Sequence, residues 1–254
     1  MTPVRFAVAA AAFALLAAPI AVHAAPAAVT AAIADAGRPA ADVAKDPSRK
    51  PAEIVEFARV KPGETVIDIW PGSGYWSRIF SKVVGPNGKV YSYVPAEIAS
   101  FKGDPVAVAK AIGAEPGHGN VTEVSDPLAS EPPAAMYGTV DVAFIFENYH
   151  DTYNPFMKGA DVAAYNRAMF KLLKHGGYYV VVDHAAPAGA GLTQTNITHR
   201  IEPATARAEI EKAGFVFDGE SKVLANPDDP KTALVFDPTI RGKTDRFAYR
   251  FRKP

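Results

Sequence analysis

The sequence predicts an α/β protein with a mostly parallel sheet, a C-terminal antiparallel pair of strands and helices on both faces. Short apolar runs rich in β-branched residues alternate with helical segments, and strands that are joined by helices run parallel through right-handed crossovers. These runs lack polar–apolar alternation, which is typical of strands buried on both faces. Two last runs, 215–225 and 247–251, follow the final helix without another helix between them and predict the antiparallel pair.

The first half of the domain begins with a helix at Pro51, because proline suits a first helical turn and Glu53 favours the positive end of the helix dipole. Residues 65–69 form a β-branched run that predicts the first strand. The Gly72-Ser73-Gly74 turn then leads into a helix. The helices predicted here cover 75–84 and 96–112, the latter interrupted near 103–105, and the next strands cover 89–94 and 121–124.

The second half continues the same alternation. Residues 139–146 are apolar throughout and predict the fourth strand, and residues 161–174 predict a helix with one apolar face. The glycine pair at 176–177 predicts its end. A fifth strand over 178–183 and a helix over 203–213 precede the antiparallel pair.

Length and charge limit the possible partners. The chain has 254 residues, of which 48% are hydrophobic, and this suits one large globular domain. Its 27 basic and 27 acidic side chains leave no net charge. Nucleic acid and anionic membranes favour a basic excess, so neither is an expected partner. The chain contains no cysteine, which excludes disulfides, thiolate catalysis and cysteine-ligated zinc.

Residues 1–24 have the pattern of a secretory signal peptide. Arg5 is the only charged residue among them, and residues 6–20 are apolar and rich in alanine. We expect cleavage after Ala24 and a periplasmic or secreted protein with no stable membrane insertion afterwards. An uncleaved anchor is the alternative, since an apolar run of about 17 residues is at the short limit for a membrane span.

Two further regions complete the predicted domain organisation. Residues 25–45 are rich in alanine and aspartate with weak periodicity, which predicts a flexible segment that leads into a short helix. The α/β domain then extends over residues 46–254. In its last strand, basic residues at 246, 250, 252 and 253 alternate with aromatic ones and predict a solvated basic face without a function.

A glycine turn follows the first predicted strand and carries a family resemblance. Asp68 precedes Gly72 and Gly74, whose missing side chains let backbone approach a ligand, and the helix start supplies N–H donors. This segment resembles the D/E-x-G-x-G-x-G motif of class I S-adenosylmethionine (SAM)-dependent methyltransferases, with Trp70 in place of the first glycine. The helix at Pro51 and the closing strand resemble a predicted exported bacterial group of that family. The resemblance covers residues 46–254.

The resemblance implies a Rossmann-like methyltransferase sheet, SAM as cofactor and a small-molecule substrate. Methyltransferases commonly hold the ribose hydroxyls with an acid at the end of the second strand, where this sequence has Val94 and, three residues later, Glu97. Gly74→Val is expected to abolish cofactor binding while the fold is kept. The cofactor-binding residues that we expect are Asp68, Gly72, Gly74, Glu97, Asp126 and Glu147.

NAD is the rival cofactor. The Gly72-x-Gly74-x-x-Ser77 spacing is one residue type away from the G-x-G-x-x-G/A motif of dinucleotide-binding proteins. An NAD site also requires an acid at the end of the second strand, so the same missing acid counts against both cofactors.

Polar side chains follow the fourth and fifth predicted strands and are expected to converge at one pocket rim. His150 or His184 is the expected general base, because an unperturbed histidine is half-charged near neutral pH. His150 should stand at the pocket mouth, with Asp151 or Asp183 orienting an imidazole. Arg200 can clamp a carboxylate or phosphate. The catalytic candidates are His150, Asp151, His184 and His199.

Two alternatives stay open. Asp151, Asp183, His150 and His184 can ligate a divalent ion, although the sequence lacks a close ligand spacing such as H-E-x-x-H, and we expect no metal. The function is predicted to be SAM-dependent methyl transfer to a small molecule. The alternative is a catalytically degenerate methyltransferase-fold binding protein in the periplasm. Export favours this alternative because SAM is made in the cytoplasm, and Trp70 favours it because it replaces a glycine of the cofactor motif.

Overall fold

The computed structural model describes residues 26–254, in which seven strands form a single sheet. The strands are β1 (Thr65–Ile69), β2 (Lys89–Tyr93), β3 (Val121–Val124), β4 (Val140–Phe146), β5 (Leu173–His184), β6 (Val216–Ser221) and β7 (Arg246–Arg252). Their order across the sheet is β3-β2-β1-β4-β5-β7-β6. Strands β1 to β5 are parallel to one another, whereas β7 is antiparallel to both β5 and β6. The predicted parallel sheet with a C-terminal antiparallel pair is confirmed.

Helices cover both faces of this sheet and enclose two apolar cores. Helices α1, α4 and α5 pack on one face, and α7 and α8 pack on the other. None of the helices in residues 26–254 combines the length and the apolar character that crossing a bilayer requires. The helices are α1 (Ala27–Ile33), α2 (Ala40–Val43), α3 (Asp46–Arg49), α4 (Pro51–Ala58), α5 (Tyr75–Val84), α6 (Pro105–Ile112), α7 (Val162–Leu172) and α8 (Pro203–Lys212).

Strand β5 begins earlier than the sequence predicts. The glycine pair at 176–177, expected to end a helix, lies inside the strand at an irregularity in its pairing with β4. Gly176 adopts a φ of +80°, a conformation that L side chains rarely adopt, so the chain bends there without leaving the sheet.

The N-terminal segment, for which the composition predicts flexibility and a short helix, contains helices that pack on the domain. Residues 27–33 and 40–43 are helical, and Val29 and Ala32 are buried in the core beside α5. Arg78 of α5 lies 3.2 Å from the Asp42 carboxylate, so an ion pair also joins the segment to the domain. The predicted signal peptide, residues 1–24, lies outside the described residues.

The basic residues of β7 are not a solvated face. Arg246 and Arg250, and Lys253 just after the strand, are each less than a tenth exposed, because β7 lies inside the sheet and N-terminal segments cover Arg246 and Arg250; Arg252 is partly exposed. Arg250 donates to the Phe57 carbonyl at 2.7 Å and to Asp218 at 2.6 Å. The alternating basic and aromatic residues therefore face opposite sides of β7, and both sides are largely buried.

Candidate functional site

A cavity of about 420 Å³ opens at the carboxyl ends of β4 and β5. Parallel sheets bind ligands at this edge because the loops that follow the strands meet there. Helix α3, the loop after β4, the end of β5 and the segment before β7 form its walls. The lining side chains that bear a charge or a titratable group are Lys45, Arg49, Glu147, His150, Asp151, His184, Arg241 and Arg246.

His150 occupies a buried position in this wall and is only 2% exposed. Its Nδ1 lies 2.8 Å from Asp183 Oδ1, and its backbone N–H donates to Asp183 Oδ2 at 2.7 Å. Burial opposes the imidazolium charge, but the Asp183 and Asp151 carboxylates outweigh it and raise the pKa of His150 to about 10. The predicted base at the pocket mouth is thus a buried cation that has no lone pair to accept a proton.

Asp151 and His199 complete a compact group with His150. Asp151 Oδ1 lies 3.3 Å from His150 Nε2 and 3.3 Å from His199 Nδ1. The two imidazole nitrogens are 3.1 Å apart. Burial opposes the Asp151 charge, yet its hydrogen bonds to both histidines lower the pKa of the carboxyl. Three of the four predicted catalytic residues therefore meet at one point.

His184, the fourth, faces the same cavity in a different state. Its Nδ1 lies 2.8 Å from the Thr244 hydroxyl, and no residue of 26–254 forms a hydrogen bond with its other ring nitrogen. Burial lowers the pKa of His184, so the ring is neutral at neutral pH. Among the cavity's histidines, His184 is the one suited to accept a proton.

Glu147 is engaged by arginines rather than standing free for a cofactor. Arg246 Nη1 donates to its Oε1 at 2.8 Å, and Arg49 Nη2 lies 4.0 Å from Oε2. Burial opposes the Glu147 charge, but the guanidinium groups of Arg246 and Arg49 outweigh it and lower the pKa of this carboxyl. Arg246 also has a buried Nε without a hydrogen-bond partner in residues 26–254. This arginine, overlooked in the sequence because it lay in a supposed solvated strand, makes the cavity suited to anions.

Arg200 lies outside the cavity. Its side chain is fully buried, and Nη1 donates to Asp229 Oδ2 at 2.8 Å and to the Ala185 carbonyl at 3.2 Å. The predicted role as a ligand clamp is therefore wrong, since every one of these contacts holds the loops together inside the protein.

The two glycines of the turn after β1 differ in the space around them. A Cβ at Gly72 would meet nothing within 4 Å, whereas a Cβ at Gly74 would lie 2.2 Å from Ile112 Cδ1 of α6. Gly74→Val therefore carries a cost to the fold: the φ of +85° at Gly74 is one that L side chains rarely adopt, and the Ile112 side chain would have to move. Asp68 lies 1% exposed beneath the turn and accepts a hydrogen bond from Ser77 Oγ at 2.6 Å.

The buried Asp68 carboxyl carries a pH-dependent stability. Burial raises its pKa from 3.8 to about 7, against the hydrogen bonds from Ser77. The folded protein keeps a proton that the unfolded chain releases, so the free energy of unfolding falls by up to about 4 kcal/mol as pH rises from about 4 to 7. We expect Asp68→Asn, which is never charged, to gain stability relative to the wild type between pH 5 and pH 8 in urea unfolding. Parallel pH profiles would contradict this prediction.

Trp70 fills the space above the end of β1. Its φ of +63° is left-handed, the conformation that a glycine in the methyltransferase motif adopts without strain. The indole ring packs edge-on against Phe156, with centroids 6.1 Å apart, and Phe156 in turn contacts Phe101 at 5.3 Å. These three rings connect the loop after β2 with the loop after β4.

Glu97 and Asp126 lie at the same sheet edge, beyond β1. Both oxygens of Glu97 accept the Leu128 backbone N–H at 3.1 Å, so this carboxylate is tied to the loop after β3. Asp126 is exposed, and its carbonyl accepts the Tyr93 hydroxyl at 3.0 Å. The predicted cofactor residues thus share one edge, but Glu97, Glu147 and Asp68 are each already paired with protein groups.

Similarity to known proteins was found for the sequence and for the fold. No protein-family model matches the chain. Protein-L-isoaspartate O-methyltransferase of Ignicoccus hospitalis is 31% identical over 133 residues, which are 51% of this chain and 52% of that protein. The chain thus spans about half the length of this curated relative.

Solved structures match a larger share of the chain. A SAM-dependent methyltransferase from Aquifex aeolicus superposes with a TM-score of 0.59 at 20% identity, covering 84% of this chain and 96% of that one. The [4+2]-cyclase SpnF superposes with a TM-score of 0.58 at 16% identity, covering 87% and 85%. At such identities the likeness concerns the fold alone. The chain therefore has the fold of the SAM-dependent methyltransferases.

Proposed function

We propose that this protein is a SAM-dependent methyltransferase that acts on a small anionic molecule outside the cytoplasm. The observation that carries the proposal is the polar cavity with the neutral His184, placed where this fold binds its substrates. Lys45 links that cavity to the glycine turn, since it lines the cavity and its Nζ lies 3.4 Å from Ser73 Oγ.

The residues fit the two ends of SAM unequally. At the amino-acid end, the open face of Gly72, the start of α5 and Lys45 suit a carboxylate. At the ribose end, Val94 is buried, and both oxygens of Glu97 already share the Leu128 N–H, although each keeps a lone pair that can accept a hydroxyl hydrogen bond. When bound, SAM would supply an electrophilic methyl group for the transfer.

The chain's own groups account for substrate binding and proton removal. Arg246 and Arg49 attract an anionic group, and Glu147 keeps both guanidinium groups in place. His184 then accepts the proton of a substrate hydroxyl or amine, and the loss of this proton makes the substrate oxygen or nitrogen a stronger nucleophile. Lys45 and Arg241 add positive charge to the cavity wall, so a carboxylate or phosphate on the substrate is favoured.

Calorimetry of the purified protein with SAM, S-adenosylhomocysteine and NAD tests the cofactor. We expect the first two to bind with one site per chain and NAD to give no heat. Binding of NAD alone, or of none of the three, would overturn the cofactor assignment.

The second candidate, a binding protein without methyl transfer, is favoured by the Trp70–Phe156–Phe101 contact in the cofactor region. Fold likeness does not decide between them, because the cyclase SpnF has the same fold. We expect Trp70→Gly to bind SAM more tightly by about tenfold, since it removes the indole ring from the cofactor region. Phe101→Ala is the control, as it removes an exposed ring of the same cluster and leaves the turn intact. Unchanged affinity in Trp70→Gly would show that this ring does not restrict the cofactor.

Export rests on the residue pattern of positions 1–24. N-terminal sequencing of the protein from a periplasmic extract should start near Ala25. An intact Met1 in the cytosolic fraction would contradict the assignment.

A further inference from the structure

We propose that His150, Asp151 and His199 form a binding site for a divalent transition-metal ion such as Zn²⁺, with a free coordination position that faces the cavity. Each residue presents one ligand atom, namely His150 Nε2, Asp151 Oδ1 and His199 Nδ1. Two imidazoles with one carboxylate form a ligand set that zinc and ferrous iron take in proteins, with further positions left for water or substrate.

The spacing of the three atoms matches a common centre. For metal–ligand bonds of about 2.1 Å, ligand atoms lie about 3.0 Å apart in octahedral geometry and about 3.4 Å apart in tetrahedral geometry. The three separations here are 3.1, 3.3 and 3.3 Å. The ligand atoms therefore stand at the distances that coordination requires, without any movement of the backbone.

The surrounding hydrogen bonds fix the ligands as metal sites usually do. Asp183 is acceptor-only, so His150 Nδ1 donates to it. His150 Nε2, which faces Asp151 and His199, would lose its proton when an ion binds, because metal binding displaces protons from its ligands. Two amides hold the Asp151 carboxylate in place: Asn148 donates to Oδ2 at 2.9 Å, and Asn154 donates to the ligand atom Oδ1 at 2.6 Å. This carboxylate–histidine arrangement orients a ligand and fixes its tautomer.

The open side of the site faces the cavity. His150 and Asp151 line it, and the His199 ring packs on Phe236, which lines it as well, with centroids 4.9 Å apart. A bound ion would thus meet an anionic oxygen of the substrate held by Arg49 and Arg246. The set differs from the four-residue set considered from the sequence, because Asp183 binds the far side of the His150 ring and His184 binds Thr244.

The test is direct metal binding by the purified protein after treatment with a chelator. Calorimetry with ZnCl₂ should show one site per chain, CoCl₂ should give visible absorption bands of a protein-bound ion, and MgCl₂ should not bind, since imidazole ligands disfavour it. Absence of stoichiometric zinc binding by the wild type would overturn the site.

Variants locate the ion. Asp183→Asn removes only a partner of the ligand His150 and should weaken zinc binding by about 10–100-fold. His199→Ala removes a ligand itself, so it should weaken zinc binding by at least about 100-fold. His199 is 23% exposed at its side chain, so its loss is compatible with folding, and the exposed His175→Ala is the matched control with unchanged affinity. Equal zinc affinity in His199→Ala and the wild type would refute the site.

SAM titrations of the same samples separate this inference from the proposed function. Binding of zinc without SAM would overturn the methyltransferase proposal and support the metal site. Binding of SAM without zinc would overturn the metal site and support the methyltransferase proposal.

Discussion

Replacing Arg200 by methionine is expected to lower the free energy of unfolding by about 3–5 kcal/mol. Arg200 and Asp229 are both fully buried at their side chains, 2.8 Å apart, and the substitution leaves the Asp229 carboxylate charged without its partner. The variant also leaves the Ala185 and Ala233 carbonyls, each 3.2 Å from Arg200, without that donor. Urea unfolding of the purified proteins measures the difference. The two proteins should show the same dependence of the free energy of unfolding on urea concentration, which checks that the variant changes stability alone.

Lys171→Met is the matched control, since it breaks an ion pair with Glu131 whose partners are 43% and 59% exposed. Exposed pairs contribute at most about 1 kcal/mol, so the two losses should differ at least threefold. A loss below about 1 kcal/mol in Arg200→Met would show that water reaches Asp229. The result bears on function because a residue that holds the loops after β5 together is not available to bind substrate.

Local signals in the sequence are sufficient for most of the sheet. Strands β1 and β3 and helix α5 have the predicted bounds. In each case a β-branched run or a glycine turn marks the element within a few residues, so no long-range information is needed. The antiparallel pair is also predicted correctly, because no helix separates its two runs.

Pairing between distant segments is what the sequence cannot show. Arg246 reaches Ser48, 198 positions away, and Arg250 reaches Phe57, so the burial of β7 depends on helices at the other end of the chain. Gly74 faces Ile112 of α6, a contact that is visible only in three dimensions.

For the candidate site too, the sequence predicts where the polar residues meet but not the role of each residue. The convergence of polar residues after β4 and β5 follows from the edge rule for parallel sheets, and His150, Asp151 and His184 do line one cavity. Their roles depend on which partner each imidazole meets. Asp183 lies at the end of β5 and holds His150 from below, whereas His184, the next residue, points to the opposite side of the strand and meets Thr244.

His184→Gln is expected to lower methyl transfer by about 10²–10⁴-fold while SAM affinity stays nearly unchanged. His184 is the neutral imidazole of the cavity, so its loss removes the group that takes the substrate proton, whereas glutamine can still bond Thr244. Transfer of a labelled methyl group from SAM to a panel of phenols, hydroxy acids and amines identifies the acceptor that the wild type methylates fastest, and that acceptor serves for the comparison. The exposed His175→Gln controls for the general loss of an imidazole.

A structural role for His184 gives a different pattern from a catalytic one. A purely structural residue would lower the melting temperature and leave the rate of the folded fraction intact, whereas loss of a base lowers the rate at an unchanged melting temperature. Full turnover in His184→Gln would exclude His184 as the base. It would leave His199, which is partly exposed beside Phe236, as the histidine able to reach a substrate proton, since His150 is held as an imidazolium between two carboxylates.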